Sequence, residues 1–310
     1  MRTHFYGGLN GENAPPCINE ESLKKLHLRM TAHEMLMFVR SLSLLIGDNI
    51  PNDDQYWRLY LLLRKIIDVV MSPIVYEGLT VHLNALVKEH NELYVSLFGN
   101  LKPKHHFLTH YSRIMLNVGP LIHTWCMRFE AKHRQPKTVA KSTQSRKNIL
   151  KTLAIKEQLA QSARVNFDMS DVQKFGKMSQ ADVLSDSDLQ PFIPFLPASC
   201  QSHSVVVNFV KFKGVEYKVG SCVIITADEE WGQPCFGIVS YILLNEQEDL
   251  FLLLKVLKTD YFDDHLHSYK VSASTNGTYT CTSINELFCP HPVILNEQGS
   301  VKYVTVNYML

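Results

Sequence analysis

The residues of this chain whose types could do chemistry are concentrated between positions 104 and 133. His106 and His110 are four residues apart, so they would share one face of a helix and could act as a pair of zinc ligands. Zinc takes three or four protein ligands. No Cys, Asp or Glu close by completes such a set, although Cys126 and His133 could approach in the fold. We therefore expect no metal here and keep His106 and His110 only as weak candidates.

A second chemical group lies at the end of the same region. Residues 119–121 are Gly-Pro-Leu, and residues 125–133 have the sequence WCMRFEAKH. A histidine-bearing helix followed by Gly-Pro, an aromatic residue and an Arg-Phe-Glu core resembles transposases of the EnSpm/CACTA type and their relatives in animal genomes. The specific part of the resemblance covers residues 104–133, and its general organisation covers residues 20–165. The chain thus resembles the C-terminal portion of a DNA transposase.

The resemblance implies a particular catalytic chemistry. Such transposases have an RNase-H-like fold in which two aspartates on strands and a third acid on a later helix hold two divalent metals, such as Mg²⁺, about 4 Å apart. On this template Glu130 would be the third acid. Residues 20–100 would be the helical insertion that lies between the second and third acids.

The sequence departs from this family in the region before Glu130. No strand-like run that carries an aspartate is present there, because the aspartates fall in a loop or on predicted helices: Asp48, Asp53, Asp54 and Asp68. One carboxylate cannot hold two metals, so we predict a catalytically inactive chain with a vestigial Glu130 and no cofactor. An alternative is a nuclease subunit that takes two acids from another chain. Without the resemblance, Glu130 would be interpreted as a solvated or ion-paired side chain.

A basic stretch surrounds and follows Glu130. Residues 128–156 contain nine Lys or Arg, and Glu130 is the one acid up to position 156. Dense positive charge of this kind is typical of surfaces that contact the phosphate backbone of DNA, although a solvated basic helix face is the simpler interpretation. If six residues met phosphates, the log–log slope of affinity against salt would be roughly −5. The predicted DNA-binding residues are Arg128, Lys132, Arg134, Lys137, Lys141, Arg146, Lys147 and Lys151.

The last third of the sequence changes to a period of two and to β-forming residues. Closely spaced short strands predict a small SH3-like barrel. The segment 245–249 is a polar hairpin loop, and Asn276-Gly277 predicts a second hairpin. Aromatic side chains exposed on such a barrel could form a cage for methyl-lysine, so an alternative function is a protein-interaction or chromatin-reader module. Core packing is the simpler interpretation of the six candidates: Phe212, Tyr217, Trp231, Phe236, Tyr261 and Phe262.

The elements that would position these residues are helices in the first half of the chain. Asn19 is the predicted cap of a helix that begins at Glu20, and residues 52–55 have the spacing of a capping box for a helix that extends to about Met71. The apolar run of that helix is interrupted by charged residues, which indicates a buried helix: Arg58, Arg64, Lys65 and Asp68. Further helices are predicted at 79–99, 103–119, 121–134, where Pro136 interrupts, and 145–165.

These elements predict an α+β protein in two parts. We expect a flexible N-terminus at 1–19, a helical transposase-derived domain at 20–165, a linker at 166–203 and a β-rich domain at 204–310. Apolar residues make up 45% of the chain and the net charge is only +1. The sequence has no apolar membrane-spanning run, no signal peptide and seven scattered cysteines. It therefore predicts a nuclear or cytoplasmic protein, with the nucleus favoured, that could contact DNA or chromatin proteins and no membrane.

Overall fold

The arrangement of these elements is given by a computed structural model. The structure describes residues 15–25, 27–144, 147–166, 174–176, 178–182, 188–201, 203–227, 233–273 and 278–308. Over these residues, helices in the first half are followed by a β-barrel of six strands, which confirms the α+β class and the small barrel. None of the described helices is long and apolar enough to cross a membrane.

The first half of the chain contains short and medium-length helices. They are α1 (Glu20–Lys24), α2 (Ala32–Ile46), α3 (Gln55–Val70), α4 (Glu77–Phe98), α5 (Pro103–Leu108), α6 (Tyr111–Val118), α7 (Cys126–Lys132), α8 (Arg134–Ser142) and α9 (Ile149–Asn166). Their core lies where α3 and α4 pack together with α6, around Ile66, Leu83 and Met115.

Two details of the predicted helices are corrected. The helix that begins at Glu20 ends at Lys24, and α2 starts anew with a capping box between Thr31 and Glu34. The helix predicted at 121–134 begins later, because residues 121–123 form a 3-10 turn and α7 starts at Cys126. The interruption by Pro136 is confirmed: α7 ends at Lys132, four residues before it, and Pro136 lies in the first turn of the new helix α8, where a missing backbone N–H costs no helical hydrogen bond.

The second half is built from antiparallel strands. They are β1 (Lys174–Phe175), β2 (Met178–Asp182), β3 (His203–Val207), β4 (Phe209–Phe212), β5 (Val215–Lys218), β6 (Cys222–Ala227), β7 (Pro234–Leu244), β8 (Leu250–Asp263), β9 (Ser268–Ala273), β10 (Tyr279–Ser283), β11 (Cys289–Gln298) and β12 (Val301–Thr305). The ring β6–β7–β8–β9–β12–β11 closes on itself, which forms the barrel. Strand β1 pairs with the β4–β5 hairpin in a separate small sheet.

The hairpin of β7 and β8 is longer than the barrel. Its outer end carries β3 and β2 on one edge and β10 on the other, so this end forms an open antiparallel sheet. The loop between the two strands is the predicted polar segment 245–249, in which Asn245 Oδ1 accepts hydrogen bonds from the backbone N–H groups of Gln247 (3.0 Å) and Asp249 (2.7 Å). This hairpin prediction is confirmed.

The prediction of a second hairpin at Asn276-Gly277 is wrong, because the two strands on either side of this dipeptide do not pair with each other. β9 and β10 do not pair with each other, because both lie antiparallel along one edge of β8. β9 occupies β8 from Leu257 to Asp263, and β10 occupies it from Phe251 to Lys255. Asn276 and Gly277 themselves lie outside the described residues.

The stretch interpreted as a linker contains packed structure. Residues 190–195 and 198–200 form two 3-10 helices. Leu189, Leu196 and Cys200 are buried against Leu243 and Leu253 of the open sheet. Residues 188–201 are therefore part of the β-rich fold, because their apolar side chains cover the outer end of the long hairpin.

Candidate functional site

The two candidate metal ligands lie side by side where α5 leads into α6. The Nε2 atoms of His106 and His110 are 3.1 Å apart, and the two rings meet edge to face. Cys126 and His133 do not complete a set with them, because no group of three or more His, Cys, Asp or Glu in the described part of the chain is placed to hold one metal ion. The structure thus brings together a pair of imidazoles.

Glu130, the candidate third acid, lies on α7 with an exposed side chain. Its backbone carbonyl accepts the N–H of His133 at the end of the helix. No strand occurs among the described residues from 15 to 166, so the aspartates in that part of the chain are on helices or loops. In the described structure, Glu130 thus has no neighbouring sheet of the kind that the resemblance implies.

The predicted DNA-binding residues form a basic stripe on α8. Arg134, Lys137 and Lys141 are three and four residues apart and exposed, so they lie on one face of the helix. The half-buried residues Pro136 and Val139 lie away from the stripe, and no residue of α8 is fully buried. The three cations are therefore open to solvent along one side of the helix.

The remaining basic residues continue onto the neighbouring helices. Lys147 and Lys151 are exposed at the start of α9, where Asn148 Oδ1 accepts a hydrogen bond from the Lys151 N–H (3.3 Å). Lys132 of α7 pairs with Glu157 of α9 at 2.6 Å, and this ion pair connects the two helices. Arg146 lies outside the described residues, and of Arg128 only the backbone is described, in α7.

The aromatic candidates of the barrel divide into core and surface. Tyr217 and Phe236 are 1% and 0% exposed, so they pack inside the fold and cannot form part of an exposed cage. Tyr217 also donates a hydrogen bond from its hydroxyl to the Pro290 carbonyl. Tyr261 is exposed, but Lys270 Nζ already lies 5.4 Å from the centre of its ring. Trp231 lies outside the described residues.

The helices contact the barrel along α2 and α3. Trp57 Nε1 donates to the His265 carbonyl (3.1 Å), and the His265 Nε2 atom is 3.0 Å from the Gly47 carbonyl oxygen. A Cβ on Gly47 would lie 2.5 Å from Leu266 Cδ2, so a larger residue at this position would require the Leu266 side chain to move. Helices and barrel are therefore joined by close packing as well as by hydrogen bonds.

A buried charged cluster lies at this junction, and sequence reasoning missed it. Arg64 of α3 is fully buried, pairs with Asp68 one turn later, and donates to the Val306 carbonyl (3.1 Å). The other oxygen of Asp68 is 2.7 Å from Nε2 of His267, which belongs to the turn between β8 and β9. Arg40 of α2 is also buried and donates to the Asn307 carbonyl (2.5 Å). The cluster fastens two helices to one end of the barrel, because the antiparallel register of β9 and β12 places His267 beside Val306.

The electrostatics of the cluster depend on a single carboxylate. Burial by itself raises the pKa of the Asp68 carboxyl. The charge of Arg64 and the hydrogen bond from His267 together lower the pKa by more than burial raises it, so the pKa of Asp68 lies below its usual value. Burial and the like charge of Arg64 lower the pKa of Arg40 to about 10, which still leaves this guanidinium charged at neutral pH. Asp68 is thus the counterion of a buried guanidinium.

A pH dependence of stability follows from Asp68. Because the pKa of Asp68 is lower in the folded state than its unfolded value of about 3.9, its contribution is fully present above that pH and disappears as the pH falls through the folded-state pKa. We expect the difference in free energy of unfolding between the native chain and Asp68→Asn to shrink below about pH 4. Urea unfolding of both proteins from pH 2 to pH 7 measures it. Parallel pH profiles would contradict the role of Asp68.

His267 adopts an unusual conformation at the same place. Its φ angle of 49° is in the left-handed region, which costs a residue with a side chain about 1 kcal/mol or more. The bond to Asp68 occupies Nε2, and Nδ1 is buried without a hydrogen-bond partner. Asp68 and His267 both line the adjacent cleft, and the bond between them holds the His267 ring against the helix.

A cleft of about 850 Å³ lies beside this cluster, between α3, α4 and the turn after β8. The charged side chains of its wall are largely paired: Arg58 with Glu89 at 2.6 Å, and Lys65 with Asp264 at 3.6 Å. The lining thus contains both signs of charge in near balance and favours neither an anionic nor a cationic ligand.

One sequence signal could have indicated the cluster. Arg64 and Asp68 have the i, i+4 spacing of a helical ion pair inside an apolar run, and charges in such a run need partners. The third partner, His267, carries no comparable signal, because it is 199 residues away in the sequence.

No family model, curated protein or solved structure matches this chain.

Proposed function

We propose that this chain binds DNA through the exposed basic surface of α7, α8 and α9, which we call the basic surface. The observation that carries the proposal is the stripe of Arg134, Lys137 and Lys141 on one face of α8, continued by Lys147 and Lys151. Lysine and arginine side chains in rows neutralise phosphates and release counterions, which is the main source of sequence-independent affinity for DNA.

The charge distribution of the whole chain supports the proposal. Ten of the 31 Lys and Arg lie between residues 126 and 166, together with only two of the 30 acidic residues, Glu130 and Glu157. The rest of the chain therefore contains 21 basic and 28 acidic residues. Interactions between exposed charges are screened within about 10 Å in 0.1 M salt. A strongly basic segment can therefore bind a polyanion locally even when the whole protein is nearly neutral.

The pairing of charges sets how many residues are available to DNA. Lys132 is neutralised by Glu157, so we exclude it from the predicted contacts. Five of the predicted residues remain with described, exposed side chains: Arg134, Lys137, Lys141, Lys147 and Lys151. If all five contact phosphates, the log–log slope of affinity against salt is expected to be about −4.5.

The experiment neutralises part of this surface and compares it with a matched control. The triple variant Lys137→Gln, Lys141→Gln, Lys151→Gln should bind a fluorescent DNA duplex more weakly at low salt, and its salt slope should be less steep by about 3. The control Lys211→Gln, Lys255→Gln, Lys258→Gln removes the same net charge from exposed positions on strands and should leave the slope unchanged. Fluorescence anisotropy from 50 to 300 mM salt measures both. Equal slopes for the two variants would refute the proposal.

We place this activity in a transposon-derived protein that acts by binding and not by catalysis. The resemblance at residues 104–133 supports that origin, with the helical domain as the remnant of an RNase-H-like transposase and the barrel as an SH3-like tail. Binding to chromosomal DNA would place the protein in the nucleus. The reader alternative loses two of its six aromatic candidates, because Tyr217 and Phe236 are core residues.

A further inference from the structure

Two imidazole nitrogens converge on one point of the helical surface. His106 is exposed on α5, and His110 is half-buried directly before α6. α5 ends at Leu108, and the chain continues as a tight turn in which the His110 N–H bonds to the Phe107 carbonyl. The two rings project to the same side and meet edge to face. Their Nε2 atoms come within 3.1 Å of each other.

This separation has the dimensions of a chelate. If a metal ion lay about 2.1 Å from both nitrogens, which is the usual zinc–imidazole distance, the N–metal–N angle would be about 95°. Adjacent ligands in a square-planar or octahedral site are about 90° apart, and square-planar nitrogen sites are typical of Cu²⁺ and Ni²⁺. The nitrogen atoms are already at the required separation, and rotation of the two rings is needed to turn both lone pairs from their mutual hydrogen bond toward one ion.

We propose that His106 and His110 form a two-histidine site for a late first-row divalent metal, with Cu²⁺ bound most tightly. Neutral imidazole is the commonest protein ligand for such metals, and the order of affinity follows Cu²⁺ above Ni²⁺ and Zn²⁺. The same nitrogens share a hydrogen bond when no metal is bound, and metal binding replaces that bond by two coordinate bonds.

The site retains open coordination positions. No third His, Cys, Asp or Glu among the described residues is placed to join it. Water or an external donor fills the remaining positions, which distinguishes the site from a closed structural zinc centre with four protein ligands. The bound ion therefore stays accessible to exchange and to small ligands.

The test uses the full chain without a histidine tag. Titration with Cu²⁺ should saturate at one ion per chain, and the electron paramagnetic resonance spectrum should show nitrogen ligation. His106→Gln and His110→Gln should each weaken binding by about a hundredfold, because either change removes the effective-concentration advantage of a chelate. The double variant should then bind little more weakly than either single variant.

Two further measurements keep the outcome decisive. His27→Gln combined with His123→Gln removes two exposed histidines elsewhere and should leave the affinity and the spectrum unchanged. Circular dichroism of all variants should show the same helix content, because none of the substituted side chains is buried in a core. Unchanged Cu²⁺ affinity in the double variant His106→Gln, His110→Gln, or no saturable binding by the native chain, would overturn the proposal.

Discussion

Replacing Asp68 by Asn is expected to lower the free energy of unfolding by about 3–5 kcal/mol. The substitution keeps the shape of the side chain, but its single oxygen replaces two that contact Arg64 and His267, and it leaves the fully buried guanidinium of Arg64 without a counterion. An uncompensated charge in a low-dielectric interior is costly because water no longer solvates it. Equilibrium unfolding in urea at pH 7, followed by circular dichroism, measures the loss.

Two comparisons separate the buried charge from other effects. Asp264→Asn removes the same charge from an ion pair whose carboxylate is 81% exposed, so it should change stability by less than about 1 kcal/mol. Adding Arg64→Met to Asp68→Asn should recover part of the lost stability, since the unpaired charge is then gone, although the bond to the Val306 carbonyl is lost as well. A destabilisation by Asp68→Asn as small as that by Asp264→Asn would show that Arg64 does not depend on Asp68.

Replacing Phe236 by Ala is expected to lower the free energy of unfolding by about 3–5 kcal/mol. The ring is 0% exposed and lies inside the barrel with Ile224, Leu257 and Tyr269, whose ring centre is 5.5 Å away. Removing it leaves a cavity that the closed ring of strands cannot fill by collapse. Urea unfolding of purified protein measures the effect.

A surface phenylalanine of the same domain provides the control. Phe288 is 53% exposed, so Phe288→Ala should cost less than about 1 kcal/mol. Similar losses for Phe288→Ala and Phe236→Ala would show that the barrel interior is not packed around Phe236. The comparison also bears on the reader hypothesis, because a variant of Phe236 or Tyr217 that fails to capture a partner would first have lost its fold.

The two regions with the largest proposed roles lie on different elements. The junction with the barrel uses α2 and α3, whereas the basic surface uses α7, α8 and α9. Neutral substitutions at Lys137 and Lys141 therefore leave the Arg64 and Asp68 pair intact. A change in DNA affinity from those substitutions can be interpreted as a change of surface charge and not of stability.

Local signals in the sequence predicted much of the fold. The helix predicted at 103–119 begins at Pro103 as expected, although it is divided into α5 and α6 after Leu108. The apolar run interrupted by charges is the buried helix α3. The alternating strands and the polar loop at 245–249 predicted the antiparallel β region. The basic stretch could be identified because Lys and Arg are recognised directly from the sequence. These features depend on neighbours within a few residues, so the sequence alone carries them.

Tertiary structure decided the features that depend on distant partners. Asp68 meets His267 across 199 residues and Arg64 meets the Val306 carbonyl across 242, so helical spacing could suggest a pair but could not identify its third member. The hairpin signal at Asn276-Gly277 failed because β8 is long enough to pair with β9 and β10 in succession. The apolar residues of the assumed linker were covered by the open sheet at the end of the long hairpin.

The chemical segment shows the same division. The sequence determined that His106 and His110 share a helical face and that Glu130 has basic neighbours, since both follow from spacing and composition. Only the structure decided that the two histidine rings meet at 3.1 Å and that Glu157 neutralises Lys132. It also decided that Tyr217 and Phe236 face the core. The physical reason is that side-chain contacts and burial depend on how elements pack, and packing involves residues far apart in the chain.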